Sequence, residues 1–475
     1  MRVEPAYGRI SAHSPESIRR SLEGASPVPF WRDSDAMPAA NPRLQGEVGT
    51  ELLVVGGGFC GLWTALIAKE QHPERSVVLI EANEVAWAAS GRNGGFCESS
   101  LTHGEANGER HFASELAEIE RLAAVNFAEL RDALERHRID AEWEETGSLT
   151  VATEPHQIEE LREAAAGSET AQFLEGNELQ KLVKSPVYRA GLFDPAETAY
   201  VHPAKLAWGL KAACERLGVQ IFERTPAVAI QRDGDGMAVR TPAGVVRAAR
   251  VALATNGFPS LIKRLRPYTV PVYDYALVTE PLSVGQLTDI GWVKRFGIAD
   301  SSRQFHYIRK TADNRILFGG YDAIYHRGGK IRPEYDQRPE TFALLADHFF
   351  TTFPQLEGVR FTHAWGGMID MSTKFVAFQG TAYDGRVAYS TGYTGLGVGA
   401  TRFGAQVMLD LLDGAETERT RLRFVTTKPM PIPPEPFAYP AISVVRHAID
   451  RSDARGGRDG LLLRLMDAVG IGFDS

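Results

Sequence analysis

Cysteine is scarce in this chain: 475 residues carry only Cys60, Cys97 and Cys214. Three scattered thiols exclude a disulfide framework and supply no zinc-ligand spacing. Long apolar runs are missing too, so no segment reads as a membrane-spanning helix. Positive charge is not in excess, because 52 Lys and Arg face 60 Asp and Glu for a net charge of −8. That balance removes the electrostatic case for nucleic acid. The basic pair in Ile18-Arg19-Arg20-Ser21 has no apolar stretch behind it and no cleavage pattern, so no targeting peptide is read there and the expected compartment is the cytoplasm.

What is abundant is glycine, 46 residues, within an ordinary globular composition of 44% hydrophobic and 24% charged residues. At this length one core is too small a unit, and two consecutive or intertwined domains are expected. Three glycines stand out. Gly56, Gly58 and Gly61 follow the apolar run Leu52-Leu53-Val54-Val55, and Phe59 to Gln71 then reads as a helix. Its free N–H groups suit a pyrophosphate: Gly56 for the tight turn, Gly58 for close approach of the backbone, Gly61 for helix–strand packing. A second run, Ser76 to Ile80, ends at Glu81, whose carboxylate can accept ribose hydroxyls and would repel a 2′-phosphate. The pattern predicts a dinucleotide; NAD and FAD both fit it.

Further along, Ala89 to Gly95 reads as a loop built to touch a ligand, and Phe112 to about His137 as a long amphipathic helix. Thr146 to Ala152 alternates like a strand, and 154–166 is a polar helical stretch. After His202-Pro203, Ala204 to Leu217 reads as a helix and Val219 to Phe222 as a strand. A hairpin follows around Asp233 to Gly236, and then a strand ends in Ala254-Thr255-Asn256-Gly257. Strands at 270–279, 305–309 and 315–320 suggest a second, mixed sheet. A last strand at 385–390 leads through Gly392 to Gly399 into a helix from about Ala400 to Leu412. A second glycine-rich entry into a helix favours flavin, because bare backbone donors there stabilise negative charge on the reduced ring.

Five motifs in this order, Gly56 to Glu81, Ala89 to Gly95, Ala254 to Asn256, Trp365 to Asp370 and Gly392 to Val398, resemble the FAD-dependent D-amino-acid oxidase (DAO) superfamily, with its gamma-glutamylputrescine oxidoreductase branch as the best match. The resemblance spans about Pro29 to Leu412. It implies an α/β fold: a Rossmann-like, glutathione-reductase-like FAD-binding domain interleaved with an α+β substrate domain containing a mixed antiparallel sheet. The expected division is an N-terminal arm at 1–48, the FAD-binding domain at 49–105, 200–262 and 360–420, the substrate domain at 106–199 and 263–359, and a helical tail at 421–475.

By carry-over, Gly56, Gly58, Phe59, Cys60 and Gly61 hold the pyrophosphate, Glu81 and Ala82 the ribose, and Val228 the adenine through its backbone. Ala89, Ser90, Arg92, Asn93, Gly94 and Gly95 pass along the flavin, with Ala254, Thr255, Asn256 and Trp365 at its edge. Gly392, Thr394, Gly395, Leu396, Gly397 and Val398 close over its pyrimidine end. The implied reaction takes a hydride from the α carbon of a primary or secondary amine or amino acid to flavin N5; the imine hydrolyses to an aldehyde or keto acid. Such a step needs positioning more than a strong base. Tyr307 and Arg309, two apart on a strand, are expected as aromatic wall and anion clamp, with Tyr273 and Tyr275 sharing another face; His306 is read as structural.

Departures from the family bear on the chemistry. Leu396 stands where several relatives have histidine, so no proton role is available there. No histidine lies near Arg92-Asn93 for covalent flavin, which implies noncovalent FAD, and Cys97 reads as a buried thiol. No lysine occurs in Ile316 to Tyr321, so oxygen and another electron acceptor both stay open. An NAD-linked dehydrogenase and a non-catalytic flavin-binding partner are the alternative readings. The tail, with helices read at Ala441 to Asp450 and Gly460 to Val469 and with Leu461, Leu462, Leu463, Leu465 and Met466 clustered, is expected to pack back on the enzyme, with a homodimer or membrane-surface contact as alternatives.

Overall fold

The computed structural model describes residues 6–7, 13–196, 198–453 and 455–468. Two large mixed sheets organise the chain. The first is built on Gly46–Val55, which pairs in parallel on both edges, with Val77–Ile80 and with Gly244–Leu253, and whose last four residues are buried on both faces of the sheet. A strand covered on both faces must be apolar throughout, which is why Leu52 to Val55 read as a run rather than an alternation. The helix Phe59–Gln71 crosses between Gly46–Val55 and Val77–Ile80, and Gln220–Phe222 extends that edge. Beyond Gly244–Leu253 the sheet divides: the hairpin Ala229–Asp233 and Gly236–Thr241 pairs with its first half, Val387–Thr391 with its end.

Nine strands form the second sheet, in the order Ile324–Tyr325, Val270–Thr279, Ile316–Gly320, His306–Lys310, Gly297–Asp300, Ser148–Ala152, Ala190–Asp194 and Gln172–Glu175, with Phe361–Met371 also on Val270–Thr279. Phe361–Met371 falls in the stretch grouped by sequence with the nucleotide-binding segments, yet it pairs with Val270–Thr279 over most of its length. Its burial alternates from Gly366 onward, the mark of a half-covered antiparallel strand. A third, three-stranded sheet joins Phe96–Glu98, Thr198–Tyr200 and Glu144–Glu145.

Several elements differ from the expected ones. The long helix expected from Phe112 to His137 is Leu116–Arg136, and a separate helix, Glu105–Phe112, precedes it. Glu115 leaves helical geometry between them, and its carboxylate accepts the Arg423 and Phe424 N–H groups. The arm contains a helix, Pro15–Leu22, capped by the Ser14 side chain, which packs on the helix Pro339–Thr352. Trp31 of the same arm is fully buried and donates to the Asn93 carbonyl at 2.8 Å. In the tail, helices span Ala438–Asp453 and Leu461–Ala468; Val469, the expected end of the last helix, lies outside the described residues. Among the described residues no helix is long and apolar enough to cross a membrane.

Candidate active site

Where the first sheet meets the second, one continuous cavity of about 1990 Å³ opens. Its first end is the turn after Gly46–Val55. Gly56 sits at φ +112°, and a side chain there would run into the Ala254 carbonyl oxygen; at Gly61 a Cβ would strike the Gly56 carbonyl. The backbone is therefore pressed open by bare glycines, leaving the start of Phe59–Gln71 facing the cavity. Ser90 lines the same place and accepts the Phe59 N–H at 3.0 Å. Gly58, Phe59 and Cys60 also line it, the Cys60 thiol pushed up to about 12 chiefly by burial.

Glu81 lies at the tip of Val77–Ile80, as the two parallel strands require. Its two carboxylate oxygens accept the Gly57 N–H at 2.6 Å and the Asn83 N–H at 2.8 Å, and burial pushes its carboxyl up. Ala82 lines the cavity next to it, as do Thr225, Pro226 and Ala227. Val228 does not. It is exposed, and its N–H is committed to the Arg240 carbonyl at 2.8 Å, so that N–H is not free for the contact expected of it.

Ala89, Ser90, Arg92, Asn93, Gly94 and Gly95 form a continuous wall. Asn93 holds the loop from inside, donating to the Ala89 carbonyl at 2.9 Å and accepting the Gly95 N–H at 2.8 Å. Arg92 ties it to the second sheet through Asp336 at 2.5 Å and the Gly366 carbonyl at 2.9 Å. Trp365 lines the cavity while its indole N–H donates to the Arg92 carbonyl at 2.9 Å. On the far side, Thr394, Gly395, Leu396, Gly397 and Val398 line the approach to the helix Gly397–Asp413.

Asp370, which sequence reading quoted within a motif without giving it a role, organises this end. It is buried and accepts from the Gly392 N–H at 2.5 Å, from the Thr391 hydroxyl at 3.2 Å and, through both oxygens, from the Asn256 amide at 2.7 and 2.8 Å. Burial pushes its carboxyl up to about 6. Gly392 is thereby a tether behind the wall, and Ala254, Thr255 and Asn256 line the wall itself.

Tyr307 lies against the other end, its ring edge so close to Gly94 that a Cβ there would approach to 2.8 Å. Its hydroxyl donates to Asp274 at 2.7 Å. Asp274 faces the cavity, and burial pushes its carboxyl up to about 6. Tyr273 and Tyr275 flank Asp274 on that strand, and Tyr275 lines the cavity, as the sequence periodicity expects. Tyr273 is a correction: it is buried outside the cavity, packed on His326 and Tyr335, with its hydroxyl accepting the Arg332 N–H at 3.2 Å.

Arg309 is the second correction. The expected anion clamp is buried away from the cavity, donating to the Val201 carbonyl at 2.6 Å and the Gly94 and Gly95 carbonyls at 3.3 Å, with its guanidinium over the rings of Trp31 and Tyr200. Burial lowers it to about 10. Sharing a strand face with Tyr307 does not bring Arg309 into the cavity, because its guanidinium is spent on the carbonyls of the glycine loop and of Val201. His306 is structural, as read: it is buried and bonded to Asp300 at 2.6 Å and His348 at 2.9 Å.

Glu98, unassigned by sequence, faces the cavity from the end of Phe96–Glu98, its carboxyl pushed up by burial. Cys97, one residue earlier, is fully buried outside the cavity with its thiol pushed up. No lysine lines the cavity among the described residues; Lys310 turns to the Trp292 and Val293 carbonyls.

Residues 51–411 match the model of the family DAO, FAD dependent oxidoreductase. The gamma-glutamylputrescine oxidoreductase of Escherichia coli K12 is 29% identical over 385 residues, covering 78% of this chain and 85% of its own. The "Probable oxidoreductase OrdL" of Haemophilus influenzae is 26% identical, covering 81% of this chain and 88% of its own. Among solved structures, glycine oxidase from Geobacillus kaustophilus superposes with a TM-score of 0.65 at 17% identity, over 80% of this chain and 99% of that one. The L-proline dehydrogenase of P. horikoshii gives 0.63 at 16% identity, over 80% and 96%. The family is flavin-dependent, which sets aside the NAD-linked and non-catalytic readings: this chain is an enzyme of the DAO family of FAD-dependent oxidoreductases.

Proposed function

We propose that the enzyme oxidises a primary or secondary amine or amino acid at the carbon bearing nitrogen, giving an imine that hydrolyses to an aldehyde or keto acid. The observation that carries this reading is the single cavity that runs from the glycine turn at Gly56 to the Asp274–Tyr307 pair. A dinucleotide site and a carboxylate suited to an amine thus share one enclosure. The substrate class named for the Escherichia coli relative, a substituted putrescine, is an amine. We read the first sheet as a Rossmann-like, glutathione-reductase-like FAD-binding domain and the second as the substrate domain, interleaved in the chain.

FAD, bound noncovalently, would supply the two-electron acceptor. Around it the chain's own groups have separable tasks. The turn Gly56 to Phe59 would hold the pyrophosphate with backbone N–H groups, and Glu81 the ribose hydroxyls. The N-terminus of Gly397–Asp413, reached through Gly395 and Leu396, offers backbone donors and a helix dipole to negative charge developing on the ring. Asp274, ionised above about pH 6, would hold the ammonium by charge and take the proton that the nitrogen must lose before the α carbon can release a hydride, with the Tyr307 hydroxyl fixing the carboxylate's orientation. The enclosure excludes water and raises the weight of that charge.

The test is spectroscopic. Purified protein should carry a flavin spectrum, and an anaerobic panel of amino acids, polyamines and acylated polyamines should contain at least one compound that bleaches it. Oxygen uptake against an artificial acceptor then assigns the oxidant. A protein that takes up FAD and is bleached by no amine, yet by another class of reductant, overturns the proposal.

A further inference from the structure

The family match ends at residue 411, and the chain continues into a tail whose position is informative. Ile432 N–H donates to the Pro267 carbonyl at 2.7 Å, and Glu435 accepts the Tyr325 hydroxyl at 2.8 Å and the Gly328 N–H at 2.9 Å. The helix Ala438–Asp453 then crosses the substrate end of the cavity. Arg446 pairs with Asp322 at 3.3 Å, Gln304 with Asp450, and Arg303 forks onto Asp459 at 2.5 and 3.1 Å. Polar ties to the second sheet therefore fix the tail in place.

Its apolar side chains are used differently. A helix laid down for stability buries its apolar stripe, but in Ala438–Asp453 only Ala438 and Ser452 are buried. Ala441, Val444, Val445, Ile449, Leu462 and Met466 instead line the same cavity as Asp274 and Tyr307. Val444 is 55% exposed and Leu462 37%. These side chains form an apolar roof over space continuous with the proposed amine site.

We propose that the C-terminal tail determines specificity: it receives the part of the substrate distal to the reacting carbon and selects amines in which that part is an apolar chain. The inference rests on the proposed amine oxidation, since the roof is identified as a substrate wall only through the cavity it shares. Occupancy by substrate follows from that continuity, with the polar group held at Asp274 and the remainder directed toward the tail. The roof offers apolar side chains and no built anion site, because Arg446 and Arg303 are already paired with Asp322 and Asp459.

The FAD-loaded full-length enzyme tests this with straight-chain primary amines from butylamine to decylamine. Dissociation constants are read anaerobically from the change in flavin absorbance. Transfer of each methylene from water to an apolar surface predicts about fourfold tighter binding per added carbon for the carbons that lie against the roof. In Val444→Ser combined with Leu462→Ser, the ratio of decylamine to butylamine affinity should fall about tenfold. Ala441→Phe should also lower that ratio, by filling the space rather than changing its polarity, so the inference does not depend on one variant. Affinity independent of chain length in the wild type, or a ratio that none of these substitutions moves, overturns the roof. If no amine perturbs the flavin and the wider panel also fails to bleach it, the proposed function falls instead.

Discussion

At the scale of single residues, one acid of the cavity, Asp274, is expected to set the pH dependence. Asp274 and Asp370 are both held up to about 6 by burial, but only Asp274 faces the site with a tyrosine hydroxyl on it. A raised carboxyl is neutral below its pKa and charged above it. Capture of a protonated amine by Asp274 should therefore strengthen as pH rises through about 6, giving kcat/KM an ascending limb there. In Asp274→Asn that limb should vanish and kcat/KM at pH 8 should fall by 10- to 100-fold, mostly through KM, as a charge-assisted hydrogen bond worth about 1.5–3 kcal/mol is lost. A variant that keeps the limb would remove Asp274 from substrate binding. Glycines 56, 58 and 61 were legible in the sequence because their work is local, a turn and a helix start within six residues. Asp274, Glu98 and Asp370 were not, because their positions arise from strands far apart in the chain meeting at one cavity.

At the scale of elements, the loop Ala89 to Gly95 is held by what lies beneath it. Arg309 donates to three carbonyls, Gly94, Gly95 and Val201, while stacked on Trp31 and Tyr200. Lysine has neither the planar fork nor the stacking surface. Arg309→Lys should leave buried carbonyls unpaired, each costing about 1–3 kcal/mol, and let the loop drift. The expected result is FAD binding weakened at least tenfold, with KM ratios between amines that carry a carboxylate and amines that lack one unchanged. A selective loss for carboxylate-bearing substrates would instead restore the clamp reading. The long strands and the helix Phe59–Gln71 were legible because periodicity and buried runs are strong signals over ten residues. Gln172–Glu175, Thr198–Tyr200 and the arm helix Pro15–Leu22 were missed, since their short, mixed sequences are stabilised by the surfaces on which they lie. The tail helices were legible as helices; that their apolar residues face a cavity was not, because a stripe on a helix does not say what it meets.

At the scale of the whole molecule, the chain's path predicts how the protein melts. The first sheet takes its strands from 46–80, 220–253 and 378–391, and the second takes its strands from the intervening stretches. Neither sheet can come apart without freeing the ends of the other, and the cavity between them is lined from both. One cooperative transition is expected. FAD at 100 times its dissociation constant adds about 2.7 kcal/mol by mass action. With an unfolding entropy of roughly 2.1 cal/mol/K per residue, a transition involving all 475 residues should move up by only about 3 °C. If the first sheet melted alone, fewer residues would share the same energy; its transition would then shift further while a second stayed fixed. Calorimetry of the apoprotein titrated with FAD distinguishes the two outcomes. Two transitions, with only the lower one responding, would show that the sheets are energetically separate despite their interleaved chain.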